Sequence, residues 1–152
     1  MSLTLKPELK EVKAEHLLNQ LKELVSPEFE KKGIQLFINI NSSLPTLFID
    51  EKQIMQVLLN LVKNAAEAVE KVEHPQIIIN FKNTQEESFI EIIDNGSGIS
   101  LEEQEMIFIP FYTSKKNGSG IGLSLSKQIM HLHKGDVKVL SQFGETIFRL
   151  IF

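Results

Sequence analysis

The chain has 152 residues, 42% of them hydrophobic, and a formal net charge of −4, which suits a single domain with a buried core and gives no reason to expect a nucleic-acid surface. The absence of cysteine excludes disulfides and thiolate sites and fits a cytosolic compartment. The apolar runs are too short to span a bilayer, and charges interrupt the N-terminus where a signal peptide would be apolar.

We expect residues 1–3 to be an expression scar and residues 4–152 to form one domain. Its first predicted elements are an edge strand over residues 11–14 and a helix from Glu15 to Lys32, where apolar residues recur at helical spacing. Gly33 marks the end of this helix. Pro27 predicts that the helix splits or restarts, with Ser26 as the new cap.

A second helix is predicted from Asp50, which forms a capping-box pattern with Gln53, to about Val72. Two short strands, over residues 34–41 and 47–49, precede it. The apolar stripe of this helix is expected to be buried. It comprises Ile54, Val57, Leu58, Leu61, Val62, Ala65, Ala68 and Val69.

The second half of the chain mixes strands and helices without strict βαβ alternation. The predicted elements are strands over 76–81 and 88–93, helices over 101–107 and 122–133, and a final hairpin of strands over 136–141 and 146–152. The predicted fold class is α+β. We expect a two-layer α/β sandwich in which a mixed, mostly antiparallel sheet packs against about three helices.

Two asparagines stand out on the second predicted helix. Asn60 and Asn64 lie four residues apart, so both side chains point to one face. Their amide oxygens are hard ligands of the kind that Mg²⁺ prefers, alongside water and phosphate oxygens. The alternative, which the pair alone leaves open, is the polar margin of an amphipathic helix.

Asp94 ends a strand-like run and opens a glycine tract, residues 94–98 (DNGSG). An ionised carboxylate only accepts hydrogen bonds, so in a pocket it would favour adenine, which offers an amine, over guanine, which offers an oxygen. Gly96 and Gly98 would let the backbone approach a ring closely. The alternative is a hairpin turn, although an acidic segment follows instead of a strand.

A second glycine tract, residues 118–122 (GSGIG), opens the next predicted helix. Backbone amides at a helix N-terminus form a site for phosphate oxygens. The tract matches neither the dinucleotide fingerprint nor the P-loop, and taken alone it also suits a flexible linker. Lys115, just upstream, could reach a phosphate or be solvated. No histidine is expected to be catalytic.

The order and spacing of these tracts resemble the catalytic, ATP-binding domain of bacterial sensor histidine kinases, within the group that includes gyrase-type and Hsp90-type ATPases. Residues 60–66 (NLVKNAA) resemble the N box and residues 94–99 (DNGSGI) the first glycine box. Residues 107–115 (IFIPFYTSK) resemble the F box and residues 118–123 (GSGIGL) the second glycine box. The resemblance spans residues 5–152 and implies the Bergerat-type ATP-binding fold.

The resemblance also implies a ligand and a set of contacts. The domain would bind ATP or ADP with Mg²⁺, coordinated by Asn64 with Asn60 nearby, and Asp94 would bind adenine. Residues 95–121 would form an ATP lid. The other residues implied to contact the nucleotide are Gly96, Gly98, Ile99, Thr113, Lys115, Gly118, Ser119, Gly120, Ile121, Gly122 and Leu123.

Two absences shape the predicted activity. The ATPases of the group carry a Glu at the position of Asn60, and an amide cannot act as a general base, so efficient hydrolysis is not expected. The phosphoacceptor histidine motif is also missing, so no catalytic residue is assigned on this chain. We expect the γ-phosphoryl to pass to a histidine on a separate dimerisation domain encoded before residue 1. The alternatives are an ATP-binding regulatory module without phosphotransfer and an ATPase of the same fold.

Partners and location also follow from the resemblance. It implies the dimerisation and phosphoacceptor domain of the parent kinase and the receiver domain of a response regulator as partners, and no nucleic acid. The parent kinase would be a homodimer and this fragment a monomer. The resemblance implies a cytoplasmic domain whose parent protein can be anchored in the bacterial inner membrane.

Overall fold

The computed structural model describes residues 6–41, 46–112 and 121–152. In chain order the elements are β1 (Lys10–Lys13), α1 (Ala14–Lys32), β2 (Gln35–Asn41), β3 (Thr46–Ile49), α2 (Glu51–Ala68), β4 (Gln76–Asn83), β5 (Ser88–Asp94), α3 (Leu101–Met106), α4 (Gly122–Leu132), β6 (Asp136–Gln142) and β7 (Glu145–Ile151). None of the described helices is long and apolar enough to cross a bilayer.

The main sheet has five strands in the order β2-β4-β5-β7-β6. Strands β2 and β4 are parallel, and every other neighbouring pair is antiparallel. The register places Ile79, Ile92 and Phe148 side by side, and all three are buried in the core that the helices cover. Helix α1 contacts β2, α2 contacts β5 and α4 contacts β6. The predicted α+β sandwich with a mixed, mostly antiparallel sheet is confirmed.

Helix α1 runs through Pro27 without a break, so the predicted split is wrong. Proline has no N–H, which removes the usual donor to the carbonyl of Glu23 four residues earlier. Pro27 is exposed, so water can solvate that carbonyl. Val25 and Phe29, on either side of it, are buried and hold both halves of the helix against the core. Tertiary packing therefore outweighs the local cost of the proline.

Of the two other signals predicted in α1, the C-terminal glycine is confirmed and the serine cap is wrong. Gly33 adopts the left-handed conformation, with φ 69°, and closes the helix as expected. Ser26 does not act as a cap, because its hydroxyl donates to the carbonyl of Lys22 at 2.6 Å within the continuous helix.

Helix α2 begins as predicted and ends early. The Asp50 carboxylate accepts a hydrogen bond from the N–H of Gln53 at 3.1 Å, which confirms the cap. The helix ends at Ala68 and not near Val72, because Val69 leaves the helical conformation with ψ 5° and the following residues form turns.

The predicted stripe of α2 is buried except at Ala68, which is exposed, whereas the neighbouring Ala66 is buried. The remaining element boundaries agree with the predictions to within two residues at each end. The helix that carries the asparagine pair is therefore fixed firmly in the core.

Candidate functional site

Asn60 and Asn64 lie one turn apart on α2, and both are partly buried. Leu61 and Ala65, which follow them in sequence, belong to the buried stripe. The two amides thus sit at the border between the core and the surface, as an amphipathic helix requires.

The amide of Asn60 is packed against the first turn of α4. Its Nδ2 donates a hydrogen bond to the hydroxyl of Ser126 at 3.1 Å, and that hydroxyl donates to the carbonyl of Gly122 at 2.9 Å. A Cβ at Gly122 would lie only 2.3 Å from Oδ1 of Asn60. A side chain at this position would therefore require the Asn60 amide to move.

Asp94 is the last residue of β5 and is 3% exposed. Its carboxylate accepts a hydrogen bond from the N–H of Gly96 at 2.9 Å. Burial raises the pKa of Asp94 to about 6, although the hydrogen bond from Gly96 lowers it in part. A buried carboxylate with lone pairs beyond that bond can accept a further donor from a ligand.

The glycines after Asp94 bring the chain close to two other elements. A Cβ at Gly96 would lie 2.6 Å from the carbonyl oxygen of Ala68, at the C-terminal end of α2. Gly98 has φ 91°, and a Cβ there would lie 2.5 Å from the carbonyl oxygen of Gln142. Packing of protein against protein accounts for both glycines, and their roles toward a ligand stay predictions.

Helix α2 therefore touches both glycine tracts along its length. The first tract contacts Ala68 and the second contacts Asn60, eight residues earlier. Eight residues of helix rise about 12 Å. The fold thus places the two glycine tracts against the helix that carries the asparagine pair, although the three segments are separate in the sequence.

Besides Ser126, the structure adds Thr146 and Ser141, which the sequence did not single out. Thr146 lies directly opposite Asp94 in the β5–β7 pair and is 2% exposed. Its hydroxyl lies 2.7 Å from the hydroxyl of Ser141, which also accepts from the N–H of Ile99 at 2.7 Å. Isolated hydroxyl residues in a predicted hairpin carry no sequence signal, and only the strand register places Thr146 beside Asp94.

The beginning of the predicted lid is anchored to the sheet. The side chain of Asn95 accepts from the N–H of Gln76 at 2.9 Å and donates to the carbonyl of His74 at 2.8 Å. The amide of Gln104 donates to the carbonyl of Ile99 at 2.7 Å. Residues 95–104 are therefore tied to their neighbours, and the assignment of residues 95–121 as a lid stays a prediction.

The second glycine tract is described only at its end. Ile121 precedes α4, and its carbonyl accepts the first helical bond, from the N–H of Leu125 at 2.9 Å. Helix geometry therefore directs the N–H groups of Gly122 and Leu123 out of the N-terminal end. The predicted contacts that lie outside the described residues are Thr113, Lys115, Gly118, Ser119 and Gly120.

The amide oxygens of Asn60 and Asn64 suit a hard cation that takes few ligands from the protein. Within residues 6–41, 46–112 and 121–152, no three histidines, cysteines or carboxylates come together as a metal site. The hydrogen bond to Ser126 uses Nδ2 of Asn60, which leaves the amide oxygen to accept. Amide oxygens fit Mg²⁺, which draws most of its shell from phosphates and water.

Comparison with known proteins identifies the family. Residues 49–152 match the model of the histidine kinase-, DNA gyrase B- and HSP90-like ATPases. The chain is 32% identical over 144 residues to the sensory histidine kinase/phosphatase NtrB of Vibrio alginolyticus, covering 88% of this chain and 41% of that protein. It is 34% identical over 129 residues to the sensor histidine kinase ZraS of Escherichia coli K12, covering 85% of this chain and 27% of ZraS.

The fold has the same relatives. The catalytic domain of histidine kinase ThkA superposes with a TM-score of 0.87 at 27% identity, covering 95% of both chains. The structure of ThkA in complex with the response regulator TrrA matches with a TM-score of 0.84 at 25% identity, covering 96% of this chain and 42% of that one. The chain spans less than half the length of the curated relatives named above. It belongs to the histidine kinase-, DNA gyrase B- and HSP90-like ATPase family and is similar to the catalytic, ATP-binding domains of sensor histidine kinases.

Proposed function

We propose that this domain binds Mg-ATP and donates its γ-phosphoryl to a histidine on a separate dimerisation domain. The single observation that carries the proposal is the convergence of both glycine tracts on α2, with Asn60 against one and Ala68 against the other. Family membership supplies ATP as the nucleotide, since the matched model describes ATPases.

The positions of the site residues support the following roles. The buried carboxylate of Asp94 accepts from the exocyclic amine of adenine, with Thr146 beside it. Asn64 would hold the Mg²⁺ through its amide oxygen, with Asn60 nearby, and the metal would supply neutralisation of charge on the phosphates. The outward N–H groups at the start of α4 would donate hydrogen bonds to phosphate oxygens.

Phosphotransfer is favoured over hydrolysis because of Asn60. Its Nδ2 already donates to Ser126, and an amide cannot take a proton from water as a general base does. The γ-phosphoryl would pass to an imidazole nitrogen and leave ADP behind. Positioning and charge neutralisation are the main sources of catalysis in such transfers.

The partners and the location are part of the same proposal. The domain would act with the phosphoacceptor domain of its parent kinase, which is a homodimer, and would signal to the receiver domain of a response regulator. The similarity to ThkA, whose structure was solved with a response regulator, supports this assignment. ATP as the donor favours a cytoplasmic position.

The test supplies the phosphoacceptor domain of a related kinase, or of the parent, in trans with γ-labelled ATP. We expect label on that domain in an acid-labile, base-stable form, as phosphohistidine is. Asn64→Ala should abolish both the labelling and the Mg²⁺ dependence of ATP binding while the domain stays folded by circular dichroism. The exposed neighbour Lys63 offers a matched control as Lys63→Ala.

Three other results separate the alternatives. Tight ATP binding without any labelling of the acceptor would leave a regulatory ATP-binding module. Steady release of phosphate by the isolated domain, lost on Asn60→Ala, would show an ATPase. Failure of the wild-type domain to bind ATP at all would remove the proposal.

A further inference from the structure

The hydroxyl of Ser126 stands out because it is buried and joins two helices. Ser126 lies on α4, is 2% exposed, and its hydroxyl takes part in two hydrogen bonds at once. The hydroxyl accepts a hydrogen bond from Nδ2 of Asn60 on α2. It donates the other to the carbonyl of Gly122, four residues earlier on α4. This residue therefore connects the asparagine helix to the end of the second glycine tract.

The chemistry of the hydroxyl decides which way the Asn60 amide points. A serine hydroxyl has one proton, and the carbonyl of Gly122 takes it in the i to i−4 bond that is common for serine in helices. Toward Asn60 the hydroxyl can then only accept. Asn60 must present its NH₂ to Ser126, and its amide oxygen is left to face away from that hydroxyl.

The same contact holds the amide oxygen in place. Oδ1 of Asn60 lies so close to Gly122 that a Cβ there would be 2.3 Å away. The amide is thus confined between the backbone of Gly122 and the hydroxyl of Ser126. A flipped amide would place NH₂ where the oxygen is, and NH₂ cannot coordinate a cation or accept from bound water.

We infer that Ser126 is a positioning residue for Asn60, fixing the amide so that its oxygen faces the Mg²⁺ or a water bound to it. The inference rests on the proposed function, because the direction of the amide matters only if a metal-nucleotide complex binds beside it. Outer partners that orient a ligand commonly change metal affinity when they are removed.

The experiment measures ATP affinity by calorimetry with saturating Mg²⁺ and again with EDTA. In Ser126→Ala we expect the Mg²⁺-dependent gain in affinity to fall by about 3- to 10-fold, the worth of one hydrogen bond, with the EDTA value unchanged. Ser126→Thr keeps the hydroxyl and should restore the gain. Thermal unfolding of each variant shows that the fold is intact.

Ser124 provides a matched control on the same helix. Its hydroxyl donates to the carbonyl of Ile121 at 2.9 Å, so it too bonds to the backbone of the first turn, but its bond is not to Asn60. Ser124→Ala should leave the Mg²⁺-dependent gain as in the wild type. An equal loss of the Mg²⁺-dependent gain in Ser124→Ala would mean that Ser126 only stabilises the helix, and the inference would be wrong.

A double-mutant cycle gives the sharpest outcome. If Ser126 acts through Asn60, then Ser126→Ala should have no further effect on the gain in an Asn60→Ala background. Additive losses, or a loss that is the same with Mg²⁺ and with EDTA, would overturn the inference. If the wild type binds ATP with Mg²⁺ and Ser126→Ala matches it, only this inference fails and the proposed function stands.

Discussion

At the scale of single residues, Asp94 carries an electrostatic cost that its proposed role explains. Burial raises the pKa of Asp94 to about 6, so the folded state holds its proton more tightly than the unfolded chain, whose value is about 3.9. The stability contributed by protonated Asp94 is complete below about pH 4 and is lost as the pH rises through 6. At neutral pH the ionised group therefore costs roughly 1–3 kcal/mol.

Asp94→Asn should stabilise the nucleotide-free domain while it weakens adenine binding. Asparagine has no charge to bury, and its Oδ1 can still accept from the N–H of Gly96. We expect the free energy of unfolding in urea to rise by about 1–2 kcal/mol at pH 7.5, with no gain near pH 4, and ATP affinity to fall by about 1.5–3 kcal/mol. The pair of results would identify a binding carboxylate kept at the expense of stability.

Asp136 supplies a control of the opposite sign. Burial alone would raise its pKa, but hydrogen bonds from the N–H of Val137 and from His131, with the nearby Lys127, hold the pKa below its usual value. Its contribution to stability is present above the unfolded pKa and is lost as the pH falls through the folded one. Asp136→Asn should therefore destabilise the domain at pH 7.5. A loss of stability in Asp94→Asn as well would contradict the account of its buried charge.

At the scale of elements, Pro27 shows where local signals yield to packing. The sequence predicts a break there, and the helix continues because Val25 and Phe29 are buried on both sides. The cost of the proline remains in the folded protein. Proline inside a helix is about 3 kcal/mol less favourable than alanine, although proline also restricts the unfolded chain.

Pro27→Ala should raise the free energy of unfolding by about 1–3 kcal/mol. Alanine restores an N–H that can donate to the carbonyl of Glu23, and the exposed position leaves room for the change. The measurement is urea denaturation with Glu30→Ala, another exposed position of α1, as the comparison. No gain, or a loss of stability, would mean that α1 is fitted to a proline-induced bend.

Other elements show how much of the fold the sequence contains. The cap at Asp50 and the left-handed Gly33 depend on a few adjacent residues, so their patterns predict them well. At the early end of α2, by contrast, the loop at Gly96 lies close against the Ala68 carbonyl. That contact joins residues far apart in sequence, and no local pattern contains it.

At the scale of the whole molecule, the site also combines residues that local sequence patterns predict with residues that only tertiary packing brings into place. The asparagine pair, Asp94 and the glycine tracts are recognisable in the sequence, but Ser126 and Thr146 acquire a place only through the packing of α2 on α4 and the β5–β7 register. A second bond joins the same two helices, from the N–H of Asp50 to Nε2 of His133 at 3.0 Å. One contact joins the start of α2 to the end of α4, and the other joins the middle of α2 to the first half of α4, so the two helices run antiparallel.

The small sheet shares the core of the large one. Val12, Leu47 and Ile49 of β1 and β3 are buried in the same cluster as the helices and the main sheet. A shared core favours one cooperative unfolding transition, as expected for a single domain over residues 4–152. A single transition makes the midpoint of thermal unfolding a usable measure of ligand binding.

Mg-ATP should therefore raise the unfolding temperature of the domain. A ligand that binds only the folded state at 100 times its Kd adds about 2.7 kcal/mol. For a chain of this size, that corresponds to a shift of about 5–10 °C. GTP should give little or no shift, because a buried carboxylate at Asp94 meets an oxygen instead of an amine. Asp94→Asn, although more stable without nucleotide, should lose most of the shift. Equal shifts with ATP and GTP would mean that Asp94 does not read the base, and the adenine assignment would then be wrong even if the phosphates bind at α4.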